Sequence, residues 1–281
     1  MDCYLCKNKK FVSRTGSVRD NPSIDILECS NCGLVSLSSV EHIDNNHYEQ
    51  SGMHGDELPS IECWLKEARL DDERRYEMLK SSMVNKKILD FGCGAGGFIR
   101  KAQSLAGEIA GIELEQRVHD YWGDKITLFN SLEKTDTNYD LITAFHVVEH
   151  LIDPRKILRE LSNKLEKNGC LVIEVPSSQD ALLTMYDNNA FQKFTYWSQH
   201  LYLFDAKTLN SLADQVGLEV ISIQQYQRYP LSNHLYWLSK NQPGGHQHWS
   251  FLDSVTLNEA YAAELAKVGK CDTLIAYLAK K

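Results

Sequence analysis

The sequence lacks the long apolar runs and the excess of basic charge that mark membrane-spanning and nucleic-acid-binding proteins. No apolar run approaches the roughly 18 residues of a membrane helix. The opening stretch MDCYLCKNKKF contains no apolar segment of the signal-peptide kind. The net charge of −8 argues against broad binding to nucleic acid or to anionic membranes. We therefore expect a cytoplasmic protein without membrane insertion, for which nucleic acid is not the expected partner.

Internal repeats, low-complexity segments and any pattern that specifies an oligomeric state are also missing. The 281 residues suffice for one domain of about 200 residues and a smaller module. We expect a zinc-binding ribbon over residues 1–40, a linker with N-terminal helices over residues 41–83, and a main domain over residues 84–281.

The ribbon is predicted from cysteine spacing. Four of the eight cysteines form two CxxC pairs, Cys3 with Cys6 and Cys29 with Cys32. Two such pairs can present four thiolates tetrahedrally to Zn²⁺, and four thiolates leave no open position for catalysis. The segment is too short for a core of its own, so we expect metal binding to supply most of its folding energy. The alternatives are a redox-active CxxC and two unrelated pairs of ordinary cysteines.

The next residues divide into a polar linker and a helical stretch. Residues 41–59 are irregular, with His42, His47 and His54 expected at the surface and Tyr48 a candidate to cover a ligand at the main domain. Residues 60–83 have the apolar spacing of one or two amphipathic helices, and the charges between the apolar positions are expected on a solvated face.

From residue 86 onward, apolar strand-like runs alternate with helical patterns. We predict strands at 86–92, 108–114, 126–130, 139–147, 169–176, 218–226 and 273–280, and helices at 98–106, 115–122, 154–165 and 206–216. Such alternation predicts an α/β fold with a mostly parallel sheet covered on both faces. Two insertions, 177–205 and 227–272, adjoin the carboxyl ends of strands, where substrate sites form in such sheets.

A glycine run follows the first of these strands. Gly92, Gly94, Gly96 and Gly97 come directly after Asp90, and glycines let a ligand approach the backbone closely. The spacing Gly92-x-Gly94-x-x-Gly97 also matches the dinucleotide fingerprint. The placement of Asp90 before the glycines and of Glu113 at the end of the second strand favours S-adenosylmethionine instead.

At this point the chain resembles the class I S-adenosylmethionine-dependent methyltransferases over about residues 60–281. The stretches FHVVEHLIDP, LEKNGCLVIEVP and HLYLFDAKTLNSLADQVGLEV are similar to a bacterial subgroup with an N-terminal zinc ribbon. Members of that subgroup are linked to sugar, lipopolysaccharide or capsule modification. The resemblance implies a seven-stranded, doubly wound Rossmann-like sheet in the order 3-2-1-4-5-7-6, with the strand at 273–280 antiparallel.

The resemblance also implies roles in cofactor binding. Asp90 would anchor the ammonium group, and Glu113 would accept two hydrogen bonds from the ribose hydroxyls, a bidentate geometry that suits a carboxylate. The remaining positions would contact the methionine part or the adenine: Gly92, Cys93, Gly94 and Phe145 for the former, and Leu114, Ser131 and Leu132 for the latter. For Gly96 and Gly97, ligand contact and tight helix packing are both open.

The predicted catalytic residues follow the fourth strand. The spelling His146-x-x-Glu149-His150 matches a zinc-protease motif, but those motifs lie within a helix, whereas this one straddles a strand end. A histidine could act as general base, or His146, Glu149 and His150 could hold a divalent ion, or the residues could simply fix the loop. Some quinone-type O-methyltransferases have two acids and a histidine in the equivalent loop. In this chain the first of the three positions is a histidine, so the parallel is incomplete.

His200 is a second candidate base, because it follows an aromatic run at 194–199. Further residues could line the acceptor side of the site: Tyr196, Trp197, Arg228, Asn233, His234, Trp237 and His246.

The predicted function is methyl transfer from S-adenosylmethionine to a small polar acceptor, with a structural Zn²⁺ and a catalytic divalent metal as a further candidate cofactor. The expected acceptor is a sugar hydroxyl on a nucleotide sugar or a surface-polysaccharide precursor. The alternatives are C-methylation of a keto-deoxysugar, O-methylation of a quinone-like phenol, and, from another class, a zinc-ribbon protein that binds nucleic acid.

Overall fold

The computed structural model describes residues 1–43, 49, 54, 58–135 and 138–281. The strands are β1 (Phe11–Ser13), β2 (Ile26–Cys29), β3 (Val35–Leu37), β4 (Lys87–Phe91), β5 (Glu108–Ile112), β6 (Thr127–Phe129), β7 (Tyr139–Phe145), β8 (Leu165–Pro176), β9 (Tyr202–Leu203), β10 (Leu218–Tyr226) and β11 (Thr273–Lys280). The helices are α1 (Ile61–Met83), α2 (Gly97–Ala102), α3 (Gln116–Trp122), α4 (Pro154–Lys164), α5 (Ala181–Thr184), α6 (Asn189–Thr195), α7 (Ala206–Gln215), α8 (Leu231–Lys240), α9 (Gly245–His248) and α10 (Val255–Lys267).

Seven strands form the main sheet in the order β6-β5-β4-β7-β8-β11-β10. The pairs from β6 to β8 are parallel, while β11 is antiparallel to both β8 and β10. Numbered along the chain within this sheet, the order is 3-2-1-4-5-7-6. The predicted seven-stranded fold, including its antiparallel last strand, is confirmed.

The central strands are apolar because helices cover both faces of the sheet. Ile88, Leu89, Leu171 and Ile173 have no measurable exposure, and burial of this kind gives parallel strands their continuous apolar runs. The fifth strand of this sheet begins at Leu165 and not at 169 as predicted, because Leu165 already pairs with Tyr139 across a register shift.

Several helix boundaries follow from capping. Ser60 accepts a hydrogen bond from the Cys63 amide at the start of α1, at 3.2 Å. Asp153 caps α4 with Pro154 directly after it, and Asp205 forms a capping box with Thr208 at α7. Such caps satisfy backbone N–H groups that have no partner within the helix.

The N-terminal residues form a second, four-stranded sheet in the order β1-β2-β3-β9. Its last strand comes from the insertion at 177–205: Val35 pairs with Leu203 and Ser36 with Tyr202. Buried residues of the N-terminal segment, such as Val18, belong to the same apolar cluster as residues of the main sheet. The N-terminal sheet therefore packs directly on the main domain. Within the described residues, no helix combines the length and hydropathy needed to cross a membrane.

Candidate active site

A cavity of about 930 Å³ opens at the carboxyl ends of the central strands and joins both groups of predicted site residues. All the predicted cofactor residues line it: Asp90, Gly92, Cys93, Gly94, Glu113, Leu114, Ser131, Leu132 and Phe145. The predicted catalytic residues His146, His150 and His200 line it too. Glu149 is fully buried beside them.

The glycine loop, residues 92–97, depends on positive backbone angles and close packing. The φ angles of Gly92, Gly94 and Gly96 are +70°, +54° and +80°, a region that residues with a Cβ rarely adopt. A Cβ on Gly97 would lie 2.1 Å from Asp72 Oδ2, and one on Gly96 would lie 2.8 Å from Trp122 Nε1. For these last two glycines the structure therefore favours helix packing over ligand contact.

Asp90 lies at the carboxyl end of β4 with 3% of its surface exposed. The Thr143 hydroxyl donates a hydrogen bond of 2.7 Å to its Oδ1. Burial raises the pKa of Asp90 to about 7, although the hydrogen bond from Thr143 opposes the shift. A buried carboxyl with one neutral donor gains strongly from a cation placed beside it.

Glu113 follows β5 and its carboxylate turns back onto the backbone. It accepts hydrogen bonds from the amides of Gly94 at 2.8 Å, Leu114 at 2.7 Å and Glu115 at 3.1 Å. Burial raises its pKa, and these amides oppose the rise. A carboxylate has about four acceptor positions, so these three bonds leave room for one further donor, fewer than the two ribose hydroxyls that were predicted.

His146 directly follows β7 and has a φ of +55°, which is uncommon for a residue with a side chain. Its Nδ1 lies 3.0 Å from Glu149 Oε1, and its Nε2 lies 3.1 Å from Glu174 Oε1. Burial alone would lower the pKa of His146, but hydrogen bonds to the two carboxylates raise it above its ordinary value. The ring is thus anchored between two buried acids, and Arg228 Nη1 also lies 3.3 Å from its Nε2.

Glu174 extends this anchor to helix α1. Its Oε1 accepts hydrogen bonds from Arg74 at 2.8 Å and Arg75 at 2.7 Å, and the glutamate is fully buried. Asp71 of the same helix pairs with Arg228, which lines the cavity. The prediction that the charges of residues 60–83 lie on a solvated face is wrong for these residues, because their partners lie far along the chain, in β8 and in the segment after β10.

Glu149, His150 and His200 form a second cluster, here called the histidine cluster. One ligand atom from each of the three lies within 4.8 Å of the others, and the two imidazole centroids are 4.9 Å apart. Within the described part of the chain, Glu149 Oε2 is buried without a hydrogen-bond partner. As a set of ligand atoms close enough to share a metal ion, the structure thus places His200, in place of His146, with Glu149 and His150, while His146 stays hydrogen-bonded to Glu149.

Two histidines and one carboxylate are a common ligand set for divalent metals. The same groups can also handle a proton. Burial and the nearby His150 lower the pKa of His200 to about 3, so its ring is neutral near pH 7. The cluster therefore places neutral imidazole beside a buried carboxylate in the same cavity as the glycine loop.

The comparisons with known proteins concern the family and the fold of the chain. A family model described as a methyltransferase domain matches residues 66–223, more than half of the chain. The chain belongs to this methyltransferase family. A crystal structure of an S-adenosylmethionine-dependent methyltransferase from Thermotoga maritima, described as a possible histamine N-methyltransferase, covers 86% of this chain and 100% of its own, with a TM-score of 0.52. At 17% identity that likeness concerns the fold alone.

Curated relatives match the methyltransferase domain at low identity. A ubiquinone biosynthesis O-methyltransferase from Hydrogenovibrio crunogenus is 24% identical over 159 residues, which cover 52% of this chain and 61% of the relative. The mitochondrial protein of the same name from Schizosaccharomyces pombe is 24% identical over 156 residues, covering 51% of this chain and 56% of the relative. The chain thus spans little more than half the length of these two relatives.

The methyltransferase's cavity has an aromatic wall formed by Phe191, Phe194, Trp197 and Trp237. Trp237 lies between Phe191 and Phe194, with ring centroids 5.2 Å and 5.1 Å away. Trp197 lies 5.4 Å from His200. Of the predicted acceptor-side residues, Trp197, Arg228, Asn233, Trp237 and His246 line the cavity, whereas Tyr196 and His234 are buried and do not. Tyr48 and His47 lie outside the described residues.

Some cavity residues were not predicted as functional. Trp64 of α1 would lie 3.0 Å from a Cβ on Gly94, and His54 meets Trp64 edge-on. His54 also pairs with Glu115 at 3.0 Å and is largely buried, so its predicted surface position is wrong. The helical spacing around Trp64 was a usable signal, since it predicted an inward-facing residue.

The four paired cysteines come together at the N-terminal sheet. Cys3 Sγ lies 3.5 Å from Cys32 Sγ, and Cys6 Sγ lies 3.5 Å from Cys29 Sγ. All four sulfur atoms lie within 4.8 Å of one another. Zn–S bonds of about 2.3 Å in a tetrahedron need sulfur separations of this order, so the cluster fits a structural zinc ion.

Proposed function

We propose that this protein is an S-adenosylmethionine-dependent O-methyltransferase that acts on a ring-bearing hydroxyl acceptor. The observation that carries the proposal is the shared cavity: the glycine loop with Asp90 and Glu113 lines one part, and the histidine cluster lines another. Methyl transfer is accelerated when donor and acceptor are held in line within one site, and a base or a metal ion there can activate the acceptor hydroxyl.

S-adenosylmethionine, when bound, supplies a methyl group on a positively charged sulfur. Asp90 would bind the ammonium group, and the last acceptor position of Glu113 would take a ribose hydroxyl. As the acceptor oxygen forms its bond to the methyl carbon and the carbon–sulfur bond breaks, the hydroxyl proton must leave. His150 is the base we assign, because it lines the cavity and its Nε2 lies 4.0 Å from Glu149 Oε1, a carboxylate that favours the protonated ring.

A divalent ion is a second means of activating the hydroxyl, and the residues fit one. Glu149, His150 and His200 would hold it, and the orphaned Glu149 Oε2 is the observation that favours it. A metal there would lower the pKa of an acceptor hydroxyl. His146 would then keep its anchoring position between the two buried glutamates.

For the acceptor, a quinone-like phenol is favoured. The relatives are named ubiquinone biosynthesis O-methyltransferases, and the aromatic wall of Phe191, Trp197 and Trp237 suits stacking on a flat ring. A sugar hydroxyl is the second candidate, because the paired-cysteine module and the stretch at 200–220 resemble a sugar-modifying subgroup. C-methylation of a keto-deoxysugar would give a product of the same mass.

The test is a turnover assay with methyl-labelled S-adenosylmethionine and two acceptor panels, catechols and nucleotide sugars, with products identified by mass spectrometry and NMR. His150→Gln should lower kcat about 100-fold, while His248→Gln, outside the cavity, should leave it unchanged. Loss of activity with a chelator and recovery with Mg²⁺ would favour the metal over the base. Full activity of the His150 variant on every accepted substrate would contradict both assignments.

A further inference from the structure

The loop between β1 and β2 of the N-terminal sheet reaches the acceptor side of the cavity. The Arg19 amide donates to the Tyr196 carbonyl at 2.9 Å. Asp20 accepts hydrogen bonds from the Ser198 amide at 3.0 Å and hydroxyl at 2.7 Å. Val18 is fully buried between them and the core. The loop is thus fixed on the segment that carries the aromatic wall.

Arg19 presents its guanidinium to the cavity from this loop. Its Cζ lies 4.7 Å from the Trp197 ring and 5.8 Å from the Phe194 ring. Besides this stacking, Arg19 Nη1 donates a hydrogen bond to the Phe194 carbonyl at 3.4 Å. Stacking of this kind fixes a planar guanidinium and leaves its N–H edges open to a ligand.

The charge of Arg19 lacks the pairing seen at the other lysines and arginines that line the cavity. Arg75 pairs with Glu174, Arg228 with Asp71, and Lys156 with Glu160. No described carboxylate lies within salt-bridge distance of Arg19. Its neighbour Asp20 is directed to Ser198 instead.

We propose that Arg19 binds an anionic group of the acceptor, a phosphate or a carboxylate, at the mouth of the cavity, and so selects charged acceptors over neutral ones. The proposal rests on the proposed methyl transfer only in treating the bound molecule as the acceptor. Anion binding itself can be measured without turnover. Trp197 lies between Arg19 and the ring of His150, with 6.0 Å between the Trp197 and His150 centroids. A ring stacked along Trp197 would place a hydroxyl at the histidine cluster and an acidic substituent at Arg19.

In this arrangement the N-terminal module is part of the acceptor site. A guanidinium binds phosphate or carboxylate through two parallel N–H donors, which a lysine cannot reproduce. The guanidinium of Arg19 suits both a phosphate and a carboxylate. Binding measurements with one probe of each kind distinguish the two.

The test uses the full-length protein saturated with S-adenosylhomocysteine, which fills the cofactor part of the cavity. Ligand-observed NMR titrations compare three probes: phenyl phosphate, benzoate and neutral phenol. We expect phenyl phosphate, benzoate or both to bind about tenfold more tightly than phenol. The anionic probe whose affinity exceeds that of phenol identifies the anion that Arg19 binds.

Arg19→Gln should remove that tenfold difference, and Arg19→Lys should recover only part of it. Lys9→Gln is the matched control, since Lys9 is an exposed cation of the same module that does not line the cavity. Affinity for S-adenosylhomocysteine and Tm should be unchanged in all three variants. Equal binding of the three probes, or a difference that survives in Arg19→Gln, overturns the proposal. A protein that binds the anions but methylates no acceptor would instead contradict the proposed function.

Discussion

Asp90 is a buried carboxyl whose charge state depends on what lies beside it. Its pKa of about 7 results from burial, with Thr143 the side chain that donates to it. The neutral form therefore predominates below pH 7 in the unliganded protein. A bound ammonium group would favour the ionised form, so binding must expel a proton at acidic pH.

This linkage predicts that affinity for S-adenosylhomocysteine falls as pH decreases from 7.5 to 5.5. The limiting slope is about tenfold per pH unit for one linked proton. Calorimetry in buffers of different ionisation enthalpy would measure the released proton directly. Asp90→Asn, which cannot titrate, should flatten the profile. A steep profile that persists in this variant would assign the proton to another group.

The sequence predicted which residues meet at the site better than it predicted their roles. Asp90, Glu113 and His150 share the cavity because they lie at or just after the carboxyl ends of β4, β5 and β7, which meet at one edge of the sheet. His200 reaches the same cavity from the insertion that follows β8. The sequence could not predict that His200, in place of His146, completes the histidine cluster with Glu149 and His150. This arrangement depends on the left-handed backbone at residue 146, which holds the ring between two buried acids.

At the scale of elements, α1 is held to the sheet by buried charge as well as by apolar packing. Arg74 and Arg75 have side-chain exposures of 15% and 12%, and both reach Glu174 on β8. Glu174 in turn binds the ring of His146. The helix that carries Trp64 onto the glycine loop is therefore positioned by the same carboxylate that anchors the end of β7.

Glu174→Gln should lower the free energy of unfolding by about 3–5 kcal/mol, because it leaves buried cations without their counter-charge. Urea unfolding monitored by circular dichroism would measure the loss. Glu77→Gln on the same helix is the control: its pair with Lys80 is half exposed, and we expect a change below about 1 kcal/mol. Similar values for the two variants would show that the buried network contributes no more than a surface pair.

Periodicity predicted α1 as an element but not this network. The pattern at 60–83 identifies an apolar stripe, and it assigns intervening charges to solvent unless a buried partner is known. Here the partners lie about 100 and 157 residues away in the chain, and no local signal links them. The same reason explains why the two-residue strand β9 went unpredicted, since it exists through its pairing with β3.

For the whole molecule, the N-terminal sheet and the acceptor wall form one unit. β9 joins the segment that carries Trp197 and His200 to the module that carries the four cysteines. Disturbing the cysteine cluster should therefore reach the acceptor side, while the glycine loop, which is built on β4 and α2, should keep its structure.

We predict about one zinc ion per chain in the purified protein, measured by mass spectrometry of the elements. Cys29→Ser should abolish it and increase hydrogen exchange in residues 1–40 and 197–204, with the glycine loop unchanged. Cys63→Ser, an exposed cysteine outside the cluster, should retain the metal and the native exchange. An N-terminal sheet that stays protected without zinc would contradict the structural role of the ion.

The pairing of β3 with β9 also sets an order of events during protein synthesis. About 165 residues separate Leu37 from Tyr202. At ~5–20 residues per second, the ribosome needs roughly 10–30 seconds to add them. Throughout that interval β3 has an unpaired edge, and the four cysteine thiols belong to a module whose sheet lacks its last strand. Early capture of the metal would protect the nascent segment until its last strand emerges.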